Sequence, residues 1–259
     1  MWFAEGNQSA GAMFTLLGFF LRISRLQVPL LLVFLTIYAV TVVGNLGIIT
    51  IIRINPKLHT PMYFLLSNLS FVDFCYSTTV TPKLLENMVV EDRTVLLTGC
   101  IMQFFSACMF AVAEAFMLAV MAYDWLVAFC KPLLYTVVMS PKLCASLVAC
   151  PYMWGVVSSL TLTCFLLELS FCGSNIINNF LCEHSAIVSI SCSDPFISQV
   201  LSFAITIFKE VSSLAIILTT YISIFGTKDI ILLAVIHRVR RKSSYFTLFR
   251  IFFYFLFLQ

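Results

Sequence analysis

Four carboxylates and one lysine stand where the chain otherwise reads as hydrocarbon. Asp73, Glu114 and the adjacent pair Lys209-Glu210 are each embedded in a long apolar run, and Asp124 closes another run within Ala122-Tyr123-Asp124-Trp125. A charge inside lipid is expensive, so such a residue faces a bundle interior or an aqueous cavity rather than acyl chains. Pro61 to Asp73 is about 18 Å of helix, and Glu114 stands about 20 Å from Val127 on its own helix, which predicts that the two acids lie at similar depth. Two carboxylates that meet in low dielectric cannot both stay ionised unless a cation or a proton joins them. The alternatives are a bound cation, a shared proton, or one acid that is simply protonated and hydrogen-bonded. Lys209 and Glu210 either neutralise each other or face an aqueous pocket. None of this is a catalytic constellation, since no GxSxG, HExxH or His/Asp/Ser order occurs. The 10 cysteines include no CxxC pair and no His/Cys cluster at zinc spacing, so neither a metal nor a cofactor is expected.

The elements that must hold these groups are transmembrane helices. Of 259 residues, 61% are hydrophobic and 10% charged, whereas a soluble domain carries about a quarter charged residues. No basic run is interleaved with polar surface as a nucleic-acid groove requires. The expected fold is an all-α polytopic bundle with helices at about 28–52, 61–81, 95–127, 143–167 and 196–225. Thr60-Pro61 has the form of a helix start, with a capping hydroxyl before proline, and Pro82 is read as the stop of the second helix. In Val43-Gly44-Asn45 the amide either bonds a neighbouring helix, with the glycine allowing close approach, or bonds its own backbone. The loop 168–194 is long enough to expect a function, and Cys172, Cys182 and Cys192 argue for order.

Residues 1–27 lack the sequence of regions that makes a signal peptide, so they are expected as an extracellular amino terminus, with the first crossing acting as insertion signal. Residues 226–259 form a basic and aromatic segment. Its last stretch, Ser244 to Gln259, reaches about 24 Å as a helix, short of a comfortable span. With the amino terminus outside, the inner side holds nine cations: Arg53, Lys57, Lys131, Lys142, Lys228, Arg238, Arg240, Arg241 and Lys242. The outer side holds four: Arg22, Arg25, Lys83 and Arg93. That asymmetry favours this topology. It puts Cys100 and the loop cysteines on the oxidising side and makes Asn7-Gln8-Ser9 a glycosylation acceptor. Asn68-Leu69-Ser70 has the same pattern but lies within the second helix.

Several motifs, in order, then resemble the olfactory receptor branch of the rhodopsin-like G-protein-coupled receptors. They are Gly44-Asn45, Leu58-His59-Thr60-Pro61-Met62-Tyr63, Leu69-Ser70-Phe71-Val72-Asp73, Met121-Ala122-Tyr123-Asp124, Lys131-Pro132-Leu133-Leu134-Tyr135 and Ser191-Cys192. The resemblance covers roughly Phe14 to Phe225. It implies a seven-helix receptor of the plasma membrane that admits small volatile odorants from outside and activates a stimulatory heterotrimeric G protein inside. It also implies disulfides Cys100–Cys182 and Cys172–Cys192, and makes Asp73 and Glu114 the family's acid pair, able to hold sodium or share a proton. By position it implies an odorant pocket at Cys108, Ala111, Val112, Ile205, Thr206 and Lys209. Activation and G-protein coupling fall to Asp124, Trp125 and Tyr221.

Two departures from the family pattern are plain. Where the family reads MAYDRYVAIC, this chain places Trp125 after Asp124, and an indole supplies neither the charge nor the fork of donors of an arginine. The sixth-helix motif KAFSTCxSH and the seventh-helix motif PxLNPxIY are both absent, with Lys242-Ser243-Ser244-Tyr245-Phe246-Thr247 a faint echo of the first. Two functions follow as expectations: an odorant receptor, or a non-signalling receptor remnant retained in the endoplasmic reticulum. A transporter would require internal repeats, and none is found.

Overall fold

The computed structural model describes residues 13–16, 24–89, 94–170, 176–177, 182–189 and 191–226. The expectations at Asn7, Cys172 and residues 227–259 fall outside them. In chain order the elements are β1 (Met13–Leu16), α1 (Ser24–Ile54), α2 (Pro61–Val89), β2 (Thr94–Leu96), α3 (Leu97–Cys130), α4 (Tyr135–Val138), α5 (Pro141–Leu167), β3 (Ile176–Ile177), α6 (His184–Val188) and α7 (Phe196–Gly226). Tight 3-10 turns at Pro56–Leu58 and Pro132–Leu134 join α1 to α2 and α3 to α4.

Local chemistry sets the helix starts. The Ser140 hydroxyl accepts from the Leu143 amide at 3.4 Å, and Pro141 takes the first helical position, where its missing N–H costs nothing. Asp194 accepts from the Phe196 amide at 3.0 Å to open α7. Among the described residues, Gln27–Ile54, Leu97–Cys130, Pro141–Leu167 and Phe196–Ile224 are long and apolar enough to cross a membrane. The fifth long helix, α2, is less apolar because it carries Asp73, Lys83 and Glu86, and it packs between α1 and α3.

The chain departs from sequence expectation at Pro82. The helix continues past Thr81 to Val89. Proline removes an amide and crowds the carbonyl one turn back, that of Thr78, and the turns on either side of it carry extra hydrogen bonds. Thr78 and Thr79 return their hydroxyls to the Phe74 and Cys75 carbonyls at 2.7 and 2.8 Å, and Gln103 of α3 donates to the Thr79 carbonyl at 3.3 Å. A Lys83–Glu86 ion pair at 2.9 Å then spans the turn beyond the proline.

α3 is the axis of the bundle, packed by α2, α5 and α7. Two apolar clusters mark its ends. One gathers Leu97, Cys100, Ile101 and Phe104 of α3 with Leu162 and Leu166 of α5 and Ala186, Ile187 and Val188 of α6. The other gathers Met117 and Val127 of α3 with Leu65 and Leu69 of α2 and Met139, Cys144 and Val148 near the start of α5. These contacts make α2 and α5 antiparallel to α3. We call the first the loop end and the second the connector end.

Close helix approach occurs at Gly155 rather than Gly44. A Cβ on Gly155 would stand 2.6 Å from the Met109 carbonyl oxygen, so α5 crosses α3 there with backbone nearly touching side-chain space. A Cβ on Gly44 or Gly47 would meet no described atom within 4 Å. The neighbouring Asn45 is buried, and its amide donates to the Thr41 carbonyl of its own helix at 3.0 Å. Of the two readings of this asparagine, the self-bonded one describes the geometry.

The all-α architecture carries one small addition. β1 pairs antiparallel with β2, Phe14 opposite Val95, and parallel with β3, Thr15 opposite Ile176, to give a three-stranded sheet of order β2-β1-β3. It ties a segment ahead of α1 to both the lead-in of α3 and the long loop. At the same end, Gln27 of α1 donates its amide to the Met88 carbonyl of α2.

Candidate functional site

The loop end is built downward from a covalent tether. Cys100, buried in the first turn of α3, is disulfide-bonded to Cys182 across a sequence separation of 82, with Cα atoms 5.2 Å apart. Cys192 is also disulfide-bonded, and Cys172, the partner implied for it, lies outside the described residues. Hydrogen bonds tie the two ends of the loop together: the Cys192 amide donates to the Ser170 carbonyl at 2.9 Å, and the Ser170 amide to the Ser193 hydroxyl at 3.1 Å. α6 is thereby pressed onto the bundle with Ile187 wholly buried.

His184 locks α6 sideways. Its Nε2 and the Ser198 hydroxyl of α7 are hydrogen-bonded at 2.9 Å, the tautomer deciding which donates, and its ring lies 6.1 Å from that of Phe104. Burial holds its imidazole below the ordinary value, favouring the neutral form. Neither partner was foreseen from sequence, because loop residues show no period that would aim them.

Beneath this roof α3 and α7 run side by side. Cys108, Leu201 and Ile205 pack against the loop-end cluster, and one turn deeper Val112 is buried with Ala111 half-buried. Lys209 is only 7% exposed, one turn below Ile205 on the same face of α7, and it lies within electrostatic reach of Cys108. A further turn on, the Ser213 hydroxyl donates to the Ala115 carbonyl of α3 at 2.9 Å. The structure therefore brings together five of the six expected pocket positions. Thr206 is exposed, turned off this face by its place beside Ile205. Ser213 had a readable signal, a hydroxyl four residues after Lys209 in an apolar run.

Lys209 Nζ and Glu210 Oε1 form an ion pair at 2.8 Å. Neighbours on a helix point about 100° apart, so the two side chains bend toward each other. The contact satisfies charge but not hydrogen-bond geometry: Glu210 Oε1 is buried and meets no donor at bonding angles among the described residues.

Glu114 is buried, 6% exposed, and Asp73 half-buried. Two contacts between α2 and α3 bracket them, Gln103 with Thr79 on the loop side and Met117 with Leu69 on the connector side. Tyr76 follows one turn after Asp73 on the same helix face.

At the connector end Asp124 is 1% exposed, and the Tyr135 hydroxyl donates to its Oδ1 at 2.8 Å. Burial pushes the Tyr135 phenol up, and its bond to Asp124 adds to the shift, so the hydroxyl stays a donor. Trp125 is half-buried and stacks edge to face on Phe129, centroids 6.3 Å apart. Tyr221 stands exposed on α7. His59 Nε2 bonds the Ile52 carbonyl at 3.1 Å, closing the turn between α1 and α2.

Comparison with known proteins identifies what this arrangement is similar to. A model of the olfactory receptor family matches residues 34–258, running past Phe225 into the segment where the sixth- and seventh-helix motifs were not found. Olfactory receptor 5D13 of Homo sapiens is 66% identical over 224 residues, 86% of this chain and 71% of that protein. Olfactory receptor 1165 of Mus musculus is 61% identical over 222 residues, 86% and 70% respectively. Olfactory receptor 5D18 of Homo sapiens is 59% identical over 221 residues, 85% and 70%.

Proposed function

The chain belongs to the olfactory receptor family, and from that premise we propose how its helices divide the work of an odorant receptor. It is a multi-pass membrane protein and a member of a non-enzymatic receptor family. The loop end is the extracellular end, with the amino terminus outside and the receptor in the plasma membrane. The excess of Lys and Arg on the connectors at the opposite end supports this orientation. So does the Cys100–Cys182 bond, which persists in an oxidising compartment.

The odorant site lies under α6, between α3 and α7, at Cys108, Ala111, Val112, Ile205 and Lys209. The observation that carries this reading is the tethered roof. A loop covalently bound to α3 packs an apolar helix over small and apolar side chains, the kind of enclosed lining that holds a volatile ligand by burial. Asp73 and Glu114 form the acid layer below, their charges reconciled by a cation or a shared proton.

The connector end couples to a heterotrimeric G protein of the stimulatory class. Leu133 is 94% exposed beside the exposed Lys131, an apolar contact set next to a cation, which suits a protein partner at the inner membrane face. Asp124 is engaged by Tyr135 instead of an adjacent arginine, so the latch at this end is a neutral donor on a carboxylate.

Cyclic nucleotide production in cells displaying the chain tests the proposal. At least one member of a broad odorant panel raises it in a dose-dependent way. A flat response across the panel, with the chain verified at the surface, refutes it.

A further inference from the structure

We propose that the Lys209–Glu210 pair makes the α3/α7 site selective for neutral apolar odorants that carry a hydroxyl group. The inference rests on the proposed odorant site and names its ligand class. Three observations support it. The lining is otherwise small and apolar: Val112 is buried, Ala111 half-buried, and Cys108 and Ile205 each pack against the loop-end cluster. At the edge of that lining stands a salt bridge, Lys209 buried in it and Glu210 one turn below Thr206 with its side chain 39% exposed, whose two halves have opposite hydrogen-bonding character, an ammonium that only donates and a carboxylate that only accepts. Its geometry leaves Glu210 Oε1 a buried acceptor without a donor at bonding angles among the described residues.

A hydroxyl both donates and accepts while carrying no charge. Placed against the pair, its O–H completes Glu210 Oε1 while its oxygen takes a donor from Lys209, and no net charge enters the bundle. A carboxylate would add an uncompensated negative charge beside Glu210 and above Glu114, in surroundings where desolvation is costly. An aldehyde accepts from Lys209 but leaves the glutamate oxygen unsatisfied. A hydrocarbon of the same shape leaves both unchanged and gains only burial.

The test uses the full chain in lipid nanodiscs and reads ligand-dependent shifts of the thermal unfolding midpoint as apparent affinity. The probes are matched sets of alcohol, aldehyde, carboxylate and hydrocarbon on linear, cyclic and aromatic skeletons. On the skeleton that fits, the alcohol binds more tightly than the hydrocarbon by on the order of tenfold or more, as one charge-assisted hydrogen bond gives, with the aldehyde between them and the carboxylate weakest. The double substitution Lys209→Met with Glu210→Leu removes both charges together, so no lone charge is stranded, and it abolishes the preference, alcohol and hydrocarbon then shifting the midpoint alike. Glu210→Gln keeps the shape and narrows the gap between alcohol and aldehyde, which serves if the double variant does not fold. A hydrocarbon or carboxylate that binds as well as the alcohol overturns the inference and leaves the odorant site standing, as does an alcohol preference that survives the variants. No binding from any set overturns the site and the inference with it.

Discussion

The two ends of α3 solve the same problem, a polar group buried among apolar side chains, in opposite ways. At the loop end the polar groups are held open for use: Lys209 and Glu210 compensate each other in charge while, among the described residues, the Glu210 Oε1 atom meets no donor at bonding angles, and a covalently tethered loop closes over them. At the connector end Asp124 is closed off by the Tyr135 hydroxyl within a dense apolar cluster. The difference teaches where specificity and where switching reside. An unmet acceptor invites a ligand, whereas a met one must be released before anything else moves.

The largest effect should come from removing the tether that distinguishes the loop end. Cys100→Ser with Cys182→Ser opens a link across 82 residues, and the lost constraint is on the order of 4 kcal/mol. Surface display and odorant binding should fall together, read by surface labelling and midpoint shifts in nanodiscs. Unchanged surface display and binding would show that packing alone holds the roof.

Next in size is a change that strikes both ends at once. Gly155→Ala puts a Cβ against the Met109 carbonyl, 2.6 Å away in the present backbone, and overpacking of this kind costs about 1–3 kcal/mol. The thermal midpoint of the full chain should drop, with α3 and α5 losing amide-exchange protection around residues 109 and 155. Gly44→Ala is the control and should leave both measures unmoved.

A smaller and one-sided effect is expected from Tyr135→Phe, which strips the donor from Asp124 at a cost of about 1–3 kcal/mol. Basal cyclic nucleotide should rise while the odorant concentration for half response stays put. Trp125→Arg is the complementary change. It gives Asp124 a neighbouring cation and should lower basal signalling, and opposite signs for the two variants would confirm that the latch sits on this carboxylate.

The smallest effect is a pH dependence at the loop end. Burial depresses the His184 imidazole in the folded chain, so the stability it contributes is fully present above the ordinary value of about 6.5 and is lost as pH falls through the lower folded value. Amide exchange in residues 184–188 should quicken on acidification, and His184→Gln should remove that dependence.

The amount of this that sequence carries differs between the ends. Apolar run length and scattered buried charges sufficed to predict the five long helices, because a span must satisfy its own backbone and hide its charges inward. For Lys209 and Glu210 the residues left mutual neutralisation and an aqueous pocket both open, and the site position of Lys209 followed from the family resemblance. The course of α2 beyond Pro82 could not be read, since the proline penalty is local whereas the packing that carries the helix on, including the Gln103 bond to the Thr79 carbonyl, comes from another helix. Gly155 as the tight crossing was equally hidden, because Gly44 and Gly155 look alike until α3 is laid beside them. Tyr135 and His184 lie in connections whose direction no periodicity specifies, so their partners Asp124 and Ser198 emerge only from the packed chain.

Dose–response curves for one odorant on a chain altered at one end at a time test the division of labour most directly. Ile205→Phe at the loop end should shift the half-maximal concentration about tenfold or more, as loss of one well-packed contact does, with the maximal response retained. Leu133→Asp at the connector end should cut the maximum and leave the half-maximal concentration in place. A loss of maximum from Ile205→Phe without a shift, or altered odorant selectivity from Leu133→Asp, would contradict it.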